Sequence, residues 1–406
     1  MSSVLLPSST IRHSFARPWA VRRLPAVLVF VAALAVIATS VSGRLLTLGI
    51  IGMLMGIALY HAAFGFSHGY RRLLVDGRTA HVRAQVLMLA AAVLLFLPAI
   101  AMGDVFGQPV RGFTFPLGLG VAIGAFAFGI GMQISGGCVS GTLYTVGGGS
   151  LRMWITLVSA VVGATLAAFA YPLWESLPQA PAISLPGVLG LWPALALHGV
   201  VFAAIYAVLL AFERRRNGAV ESIGGHGHWL SGPWPYAWGA LALAGLNFAT
   251  LVVAGRPWGV TQAFALWGSK AAEAAGIADP VFWAFWEEPT RVEVLLRPLA
   301  TDATTVMNLA VMAGALVAAL LAGRFAPSWR VPAGAVLGSV AGGLLIGAGA
   351  IVATGCNISA FFSGIASGSI HGWLWIAAAL PGSWLGVRLR PLFGLDGGPS
   401  RRPVGR

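Results

Sequence analysis

Charged side chains are scarce in this chain. Asp, Glu, Lys and Arg make up 9% of its 406 residues, whereas apolar residues make up 58%. A soluble protein carries roughly a quarter charged residues, because it must cover its surface. The scarcity excludes a soluble enzyme and a nucleic-acid-binding protein, and it indicates that the lipid bilayer surrounds much of the chain.

Cysteine and lysine are almost absent. Two cysteines, Cys138 and Cys356, cannot form a disulfide framework, although one bridge between them remains open. The cysteines and the scattered histidines also lack the spacing of zinc ligands, so neither a metal nor a cofactor is predicted. All basic residues except Lys270 are arginines, and most lie between apolar stretches, which is typical of cytoplasmic loops. No G-x-x-x-x-G-K-[ST] motif for ATP is present.

Apolar stretches of membrane-spanning length are abundant. The first follows a basic N-terminus as in a signal peptide, but its length and the next span favour an uncleaved helix. We therefore expect an all-α polytopic membrane protein with about ten spans. The stretches lie near 24–42, 45–64, 84–102, 113–134, 153–171, 191–212, 236–255, 303–323, 331–353 and 371–387.

The arginine clusters orient these spans. Placing both termini inside puts the clusters after the second span, after the sixth span and at the C-terminus on the cytoplasmic side of a bacterial inner membrane. The expected organisation is a cytoplasmic basic N-terminus (1–23), a first membrane half (24–216), a linker (217–235), a second membrane half (236–390) and a basic tail (391–406).

Two long uncharged stretches, 112–151 and 331–387, contain Gly- and Ser-rich centres. Such centres make poor lipid-facing helices, because hydrocarbon cannot satisfy their backbone groups. We expect them to form re-entrant loops enclosed by other helices.

The two stretches are related by an internal repeat. An offset of 218 residues superposes Cys138 on Cys356, together with five glycines of each stretch. A weaker pair, 64–70 and 258–264, is similar in residue type. In the expected topology the halves are inverted repeats, whose four central loops would meet at a midplane substrate site, and this favours transport. Four of the glycines also suit a helix-packing seam: Gly120, Gly124, Gly338 and Gly342.

The cysteines are the first candidates for contact with a substrate. Each follows a glycine, Gly137 or Gly355, and each opens a predicted re-entrant loop. A buried cysteine is often only a small hydrophobe, but these two are equivalent in the repeat. A thiol is a weak donor with a polarisable sulfur, so it suits a soft, sulfur-bearing ligand.

Neutral polar groups in the loops are the other candidates. Lys270 is the only cation noted near the loops, and it also fits a snorkelling surface residue. An anion would therefore be held by backbone N–H groups at half-helix N-termini and by side-chain donors. The first pair of loops also fits simple helix capping. The polar candidates are Ser67, His68, Ser140, Thr261, Gln262, Asn357 and Ser359.

The chain resembles the YeeE/YedE family of bacterial sulfur-transport membrane proteins. The similarity is carried by ISGGCVSGTLYTVGGGS, GAGAIVATGCNISAFFSGIASGSIHG, FGFSHGYRRLL and PWGVTQAFALWGSK. It implies passage of thiosulfate or a related anion past buried cysteines, and transfer to a cytoplasmic TusA-type sulfur carrier. The thiosulfate-importing branch has a further cysteine in the first loop, where this chain has Ser67 and His68.

The sequence hypothesis is thus an importer of thiosulfate-like anions rather than an enzyme. A membrane thiol-disulfide oxidoreductase that cycles a Cys138–Cys356 bridge is the main alternative. A channel for another small anion and a structural subunit without a site are the others.

Overall fold

The computed structural model describes residues 19–40, 43–325, 327 and 330–395. Most of the predicted basic N-terminus and basic tail lies outside these residues. Within them, α-helices dominate. In chain order they are α1 (Trp19–Ser40), α2 (Arg44–His61), α3 (Phe66–Arg71), α4 (Ala80–Met102), α5 (Leu119–Ser135), α6 (Val139–Gly147), α7 (Leu151–Phe169), α8 (Tyr171–Glu175), α9 (Leu185–Leu189), α10 (Leu191–Asn217), α11 (Tyr236–Ala254), α12 (Gln262–Ala274), α13 (Pro289–Leu296), α14 (Ala303–Leu321), α15 (Ala333–Val352), α16 (Ser363–Ala366) and α17 (His371–Leu389).

Short elements connect these helices. The π-helical segments are Arg72–Asp76 and Asn357–Phe362, and the 3₁₀ turns are Pro280–Phe282, Ala284–Trp286, Leu299–Thr301 and Arg390–Phe393. The strands are β1 (Asp104–Val105), β2 (Gln108–Pro109), β3 (Leu117–Gly118) and β4 (Gln179–Ala180). β1 pairs antiparallel with β2, and β3 with β4, which joins the start of α5 to the loop after α8.

In the described part of the chain, eight helical stretches are long and apolar enough to cross a membrane: Arg44–Asp76, Ala80–Met102, Leu119–Gly147, Leu151–Phe169, Leu191–Asn217, Tyr236–Ala254, Ala303–Leu321 and Ala333–Ala366. They coincide with eight of the ten expected spans and confirm a helical, multi-pass membrane protein. The other two expected spans correspond to α1, whose apolar part is only Leu24–Val36, and to α17. The number ten stays a prediction.

Glycines allow the long helices to cross at short distance. Gly131 of α5 faces Gly342 of α15, and a Cβ at Gly131 would lie 2.7 Å from the Gly342 carbonyl oxygen. Gly124 faces Gly349 on the same two helices. These contacts confirm a packing seam at Gly124 and Gly342, because only glycine permits such close backbone approach. At Gly120 a Cβ would meet nothing nearer than 3.6 Å.

The helix contacts pair the two parts of the chain. The crossing pair α5 and α15 is flanked by two further helices: α7 packs on α15, and α17 packs on α5. In the same way, α2 packs on α14 and α11 packs on α4. The α10 helix is the most exposed of the eight apolar stretches.

One arginine-rich end of the bundle contains a buried ion pair. Arg83 Nη2 of α4 lies 3.1 Å from Glu213 Oε2 of α10, and the Thr79 hydroxyl donates to the same oxygen at 2.5 Å. Glu221 of the predicted linker pairs with Arg72 at 3.0 Å. These contacts hold the linker against the helices, because each charge needs a partner once it leaves water.

Candidate substrate path

Four of the long helices end in a break that is followed by a shorter helical segment. Break 1 is 62–65, break 2 is 136–138, break 3 is 255–261 and break 4 is 353–356. Each contains a residue with left-handed backbone: Ala63 (φ 45°), Gly136 (89°), Gly255 (71°) and Thr354 (59°). This conformation ends an α-helix and redirects the chain. Each of the two Gly- and Ser-rich sequences therefore contains a helix break, and the part that follows the break is again helical: α6 after break 2, and the π-helical segment with α16 after break 4.

Cys138 opens the helix that follows break 2. Its side chain is 1% exposed, and its Sγ accepts a hydrogen bond from the Gly141 N–H of α6 at 3.4 Å. Ser140 Oγ lies 3.5 Å from the same sulfur. The thiol therefore caps the N-terminus of α6, where backbone N–H groups are otherwise unpaired and the helix dipole is positive.

Cys356 has the equivalent place after break 4. It is 1% exposed, its N–H donates to Ser359 Oγ at 2.9 Å, and that hydroxyl donates to Cys356 Sγ at 3.6 Å. Gly355 precedes it with φ 152°, and a Cβ there would lie 2.5 Å from Ser359 Oγ. Both cysteines are free thiols, and they lie close enough to interact electrostatically.

Two tyrosines and an amide lie near the thiols. Tyr70 of α3 and Tyr144 of α6 are both neighbours of Cys138. The Tyr70 hydroxyl lies beside the Asn357 amide, and both side chains are buried, at 2% and 0% exposure. Sequence reasoning included Asn357 but missed Tyr70. The available signal was its place as the final aromatic residue of the weaker repeated segment, equivalent to Phe264.

Ser67 and His68 have different environments despite being adjacent. The buried Ser67 hydroxyl donates to the Met132 carbonyl of α5 at 2.7 Å. Ser67 therefore uses its proton to fix break 1 to α5. His68 is exposed, and its ring lies 4.9 Å from that of His81 in an edge-on contact. The structure thus does not bury His68 beside the thiols.

The end of α5 is held by side chains from distant segments. The last four carbonyls of a helix lack partners within the helix. Here the Ser67 hydroxyl donates to the first of them, the Met132 carbonyl, and Arg390 Nη1 donates to the Gln133 carbonyl at 2.6 Å. Arg152 Nη2 donates to Ile134 at 3.1 Å and to Ser135 at 2.9 Å. These bonds position break 2, and sequence reasoning identified neither arginine.

Thr261 and Gln262 line a cavity of about 570 Å³ at one end of the bundle. The same cavity is lined by Ile351 and Thr354, which lead into break 4 and Cys356. The two loop residues therefore lie on an approach to the second thiol. Thr261 is buried, and Gln262 is exposed to the cavity.

Arg256 corrects the expectation that the candidate loops hold no arginine. Break 3 begins at Gly255, so Arg256 belongs to it and lines the 570 Å³ cavity. Its Nη2 donates to Thr304 Oγ1 at 3.1 Å. The guanidinium stays protonated at neutral pH because arginine keeps its charge in proteins, and the Asp302 carboxylate lines the same cavity.

A second cavity, of about 420 Å³, lies at the opposite end of the bundle. It is lined by Thr145 of α6 and by the basic residues Arg152 and Arg330. The α15 helix spans both cavities, since Ala335 lines this one and Ile351 lines the other. Their separation along α15 is about 24 Å at 1.5 Å per residue. Among the described residues, no three His, Cys, Asp or Glu side chains converge as a metal site would require.

Similarity to known proteins identifies the family of this chain. A family model described as sulphur transport matches residues 61–385. The chain belongs to this family. It is 29% identical over 356 residues to the thiosulfate transporter TsuA of Spirochaeta thermophila, covering 82% of this chain and 96% of the relative. It is also 32% identical to the probable transporter YedE of Salmonella typhimurium, over 41% of this chain and 40% of that protein.

Family membership confirms the resemblance to YeeE/YedE proteins that the Gly-Cys repeats indicated. It makes the chain a membrane transport protein and not an enzyme. It does not favour the thiol-disulfide oxidoreductase, and the two cysteines are unbonded in the structure.

Proposed function

We propose that this protein imports thiosulfate or a related sulfur-containing anion across the bacterial inner membrane. The observation that carries the proposal is the position of two buried, helix-capping thiols between cavities at opposite ends. The first cavity reaches Thr354, two residues before Cys356. The second reaches Thr145 on α6, the helix that Cys138 caps. The relative that is aligned over 96% of its length is named a thiosulfate transporter.

The proposed path starts in the 570 Å³ cavity, where Arg256 attracts the anion and Thr261 and Gln262 offer neutral polar contacts. It continues past Cys356 and Cys138, whose thiols contact the polarisable sulfur. Neutral groups at the centre favour release as well as capture, because a buried opposite charge would hold the anion strongly.

The remaining candidates on the path support the loops or face the ligand. Gly137 and Gly355 allow the chain to approach closely, and Ser67 fixes break 1 to α5. The Ser140 hydroxyl and the Asn357 amide add polar groups around the thiols. The proposed path residues are Cys138, Cys356, Gly137, Gly355, Ser67, His68, Thr261, Gln262, Asn357, Ser140 and Ser359.

Two inverted repeats, 24–216 and 236–390, form the proposed architecture around this path. The packing supports the repeat. Each helix of the first half has a counterpart in the second: α11 for α2, α14 for α4, α15 for α5 and α17 for α7. When every helix is replaced by its counterpart, the same helix–helix contacts result. The α10 helix adds one crossing between the halves, and an odd number of crossings inverts the second half. With α1 and α17 as spans, the total is ten, and the four breaks are the re-entrant loops.

A TusA-type sulfur carrier is the proposed cytoplasmic partner. The arginine-rich end of the bundle would face it, and Arg214 and Arg215 are exposed there. Exposed positive charge accelerates association with an acidic protein surface. Reversing both charges should then slow carrier-dependent sulfur delivery, measured as transfer of labelled sulfur to the purified carrier.

Uptake of labelled thiosulfate tests the function directly. The chain is expressed in a bacterium without thiosulfate importers of its own, and wild type is compared with Cys138→Ala and Cys356→Ala at matched membrane levels. Ser383→Ala is the control, because it also removes one buried polar atom, from α17. We expect uptake by wild type and the control, and loss in both cysteine variants.

Two results would contradict the proposal in different ways. Absence of uptake by folded wild type, with or without a sulfur carrier, would reject thiosulfate import. Uptake that survives both cysteine substitutions would keep the import function and remove the thiols from the path.

A further inference from the structure

Tyr70 and Asn357 hold buried polar atoms without partners beside the thiols. Among the described residues, the Tyr70 hydroxyl and both polar atoms of the Asn357 amide make no hydrogen bond of normal geometry. The two groups nevertheless lie next to each other. A buried polar atom without a partner costs about 1–3 kcal/mol. Native proteins keep few such atoms, and each calls for an explanation.

Their position links three of the four breaks. Tyr70 lies on α3 after break 1, and Asn357 directly follows Cys356 at the end of break 4. Cys138, at the end of break 2, is a neighbour of Tyr70. Polar atoms without partners therefore converge where both thiols are buried, between the cavities at the two ends of the bundle.

The chemistry of these groups complements that of the thiols. A tyrosine hydroxyl supplies one donor, and an asparagine amide supplies two donors and one acceptor. All are neutral, so they add no ion pair that would hold an anion permanently. Hydroxyl and amide N–H groups suit hard, oxygen acceptors, whereas a thiol suits a polarisable sulfur. Ser67 does not supply such a donor, because its proton goes to the Met132 carbonyl.

We propose that Tyr70 and Asn357 bind the oxygen atoms of the transported anion, while Cys138 and Cys356 contact its terminal sulfur. The site then recognises an anion with oxygens at one end and a polarisable sulfur at the other, as in thiosulfate. This inference rests on the proposed function and assigns the selectivity of its central site.

If the Tyr70 hydroxyl had only a structural role, its removal would destabilise the empty protein and leave ligand binding unchanged. A binding role predicts the reverse of both effects. The Tyr70 ring packs edge-on against Phe66, with centroids 6.3 Å apart, and phenylalanine would keep that contact. Removing a hydroxyl without a partner should leave the empty protein equally stable or more stable. Removing a hydroxyl that binds ligand should weaken binding. Only a binding role combines these two effects.

The test compares wild type with Tyr70→Phe and Asn357→Leu, and Tyr206→Phe on α10 is the matched control. Melting temperatures of the purified full chain are measured without ligand, with thiosulfate and with sulfate, alongside thiosulfate uptake. We expect Tyr70→Phe to melt no lower than wild type without ligand. We also expect it to need about tenfold more thiosulfate for half-maximal uptake, which corresponds to the loss of one good hydrogen bond.

Selectivity gives a second readout. The wild type should be stabilised by thiosulfate more than by sulfate, and both central variants should lose most of the thiosulfate stabilisation, whereas the control keeps it. Unchanged uptake and stabilisation in both central variants would overturn the proposal while leaving the transport function intact. A wild type that neither takes up thiosulfate nor is stabilised by it would overturn the transport function and this inference together.

Discussion

Arg152 donates a hydrogen bond to the carbonyl oxygen of Ser135, the last residue of α5, at 2.9 Å. The same nitrogen also donates to Ile134, and its Nε donates to Ser339 of α15 at 3.1 Å. One guanidinium thus joins α7, the end of α5 and α15 immediately before the loop of Cys138. A planar group with five donors can make such a bridge, whereas an ammonium group cannot keep all three directions.

Replacing Arg152 by lysine should therefore disturb the Cys138 loop while keeping the charge. We expect a loss of about 1–3 kcal/mol in the free energy of unfolding, since buried carbonyls lose their partners, and lower thiosulfate uptake. Thermal unfolding in detergent and uptake assays measure both effects. Arg297→Lys, at an exposed position after α13, is the control. Equal behaviour of the two variants would show that the bridge does not position the loop.

The backbone at Thr354 should be strained. This residue has φ 59°, and Gly136, its equivalent after an offset of 218 residues, has φ 89°. Left-handed backbone costs an L-residue about 1–2 kcal/mol, part of which glycine recovers. Thr354→Gly should therefore raise the unfolding free energy by up to about 1 kcal/mol, and Gly136→Ala should lower it. A lower melting temperature for Thr354→Gly would show that its hydroxyl bond to Ala353 outweighs the strain.

The buried pair Arg83–Glu213 should dominate the stability of the arginine-rich end. The two side chains are 3% and 0% exposed. Glu213→Gln leaves a buried guanidinium without its opposite charge, which should cost about 3–5 kcal/mol. Glu293→Gln removes an exposed partner of Arg297 and should cost less than about 1 kcal/mol. Unfolding measured for both variants checks the contrast, and similar losses would contradict it.

Arg256 should control capture rather than the central step. Arg256→Gln removes the positive charge of break 3 from the first cavity, so the thiosulfate concentration for half-maximal uptake should rise about tenfold at low salt. Arg256→Lys should retain much of the uptake, because attraction depends mainly on charge. Lys270→Gln, on α12, is the matched control. A lower maximal rate with an unchanged half-maximal concentration would assign Arg256 to a later step.

The predictable part of the fold came from local sequence. Scarce charge and long apolar stretches specify a membrane protein, because hydrocarbon admits few charged groups. The Gly-Cys repeats locate breaks 2 and 4, since Gly- and Ser-rich sequence cannot continue a lipid-facing helix. The expected loop at 64–70 overlaps break 1 at 62–65, but most of it forms α3, and its two polar residues have different environments.

The sequence by itself determined the membrane class, the broken helices and the paired thiols, because each depends on short segments and their composition. Only the tertiary structure decided which side chains surround those thiols. Tyr70, Asn357 and Cys138 come from segments far apart in sequence, and Arg390 lies 257 residues from the Gln133 carbonyl of α5 to which it donates. Their directions depend on left-handed residues at the breaks and on glycine crossings that set the spacing of the helices. Composition and periodicity do not encode those contacts, since they arise only when distant segments pack together.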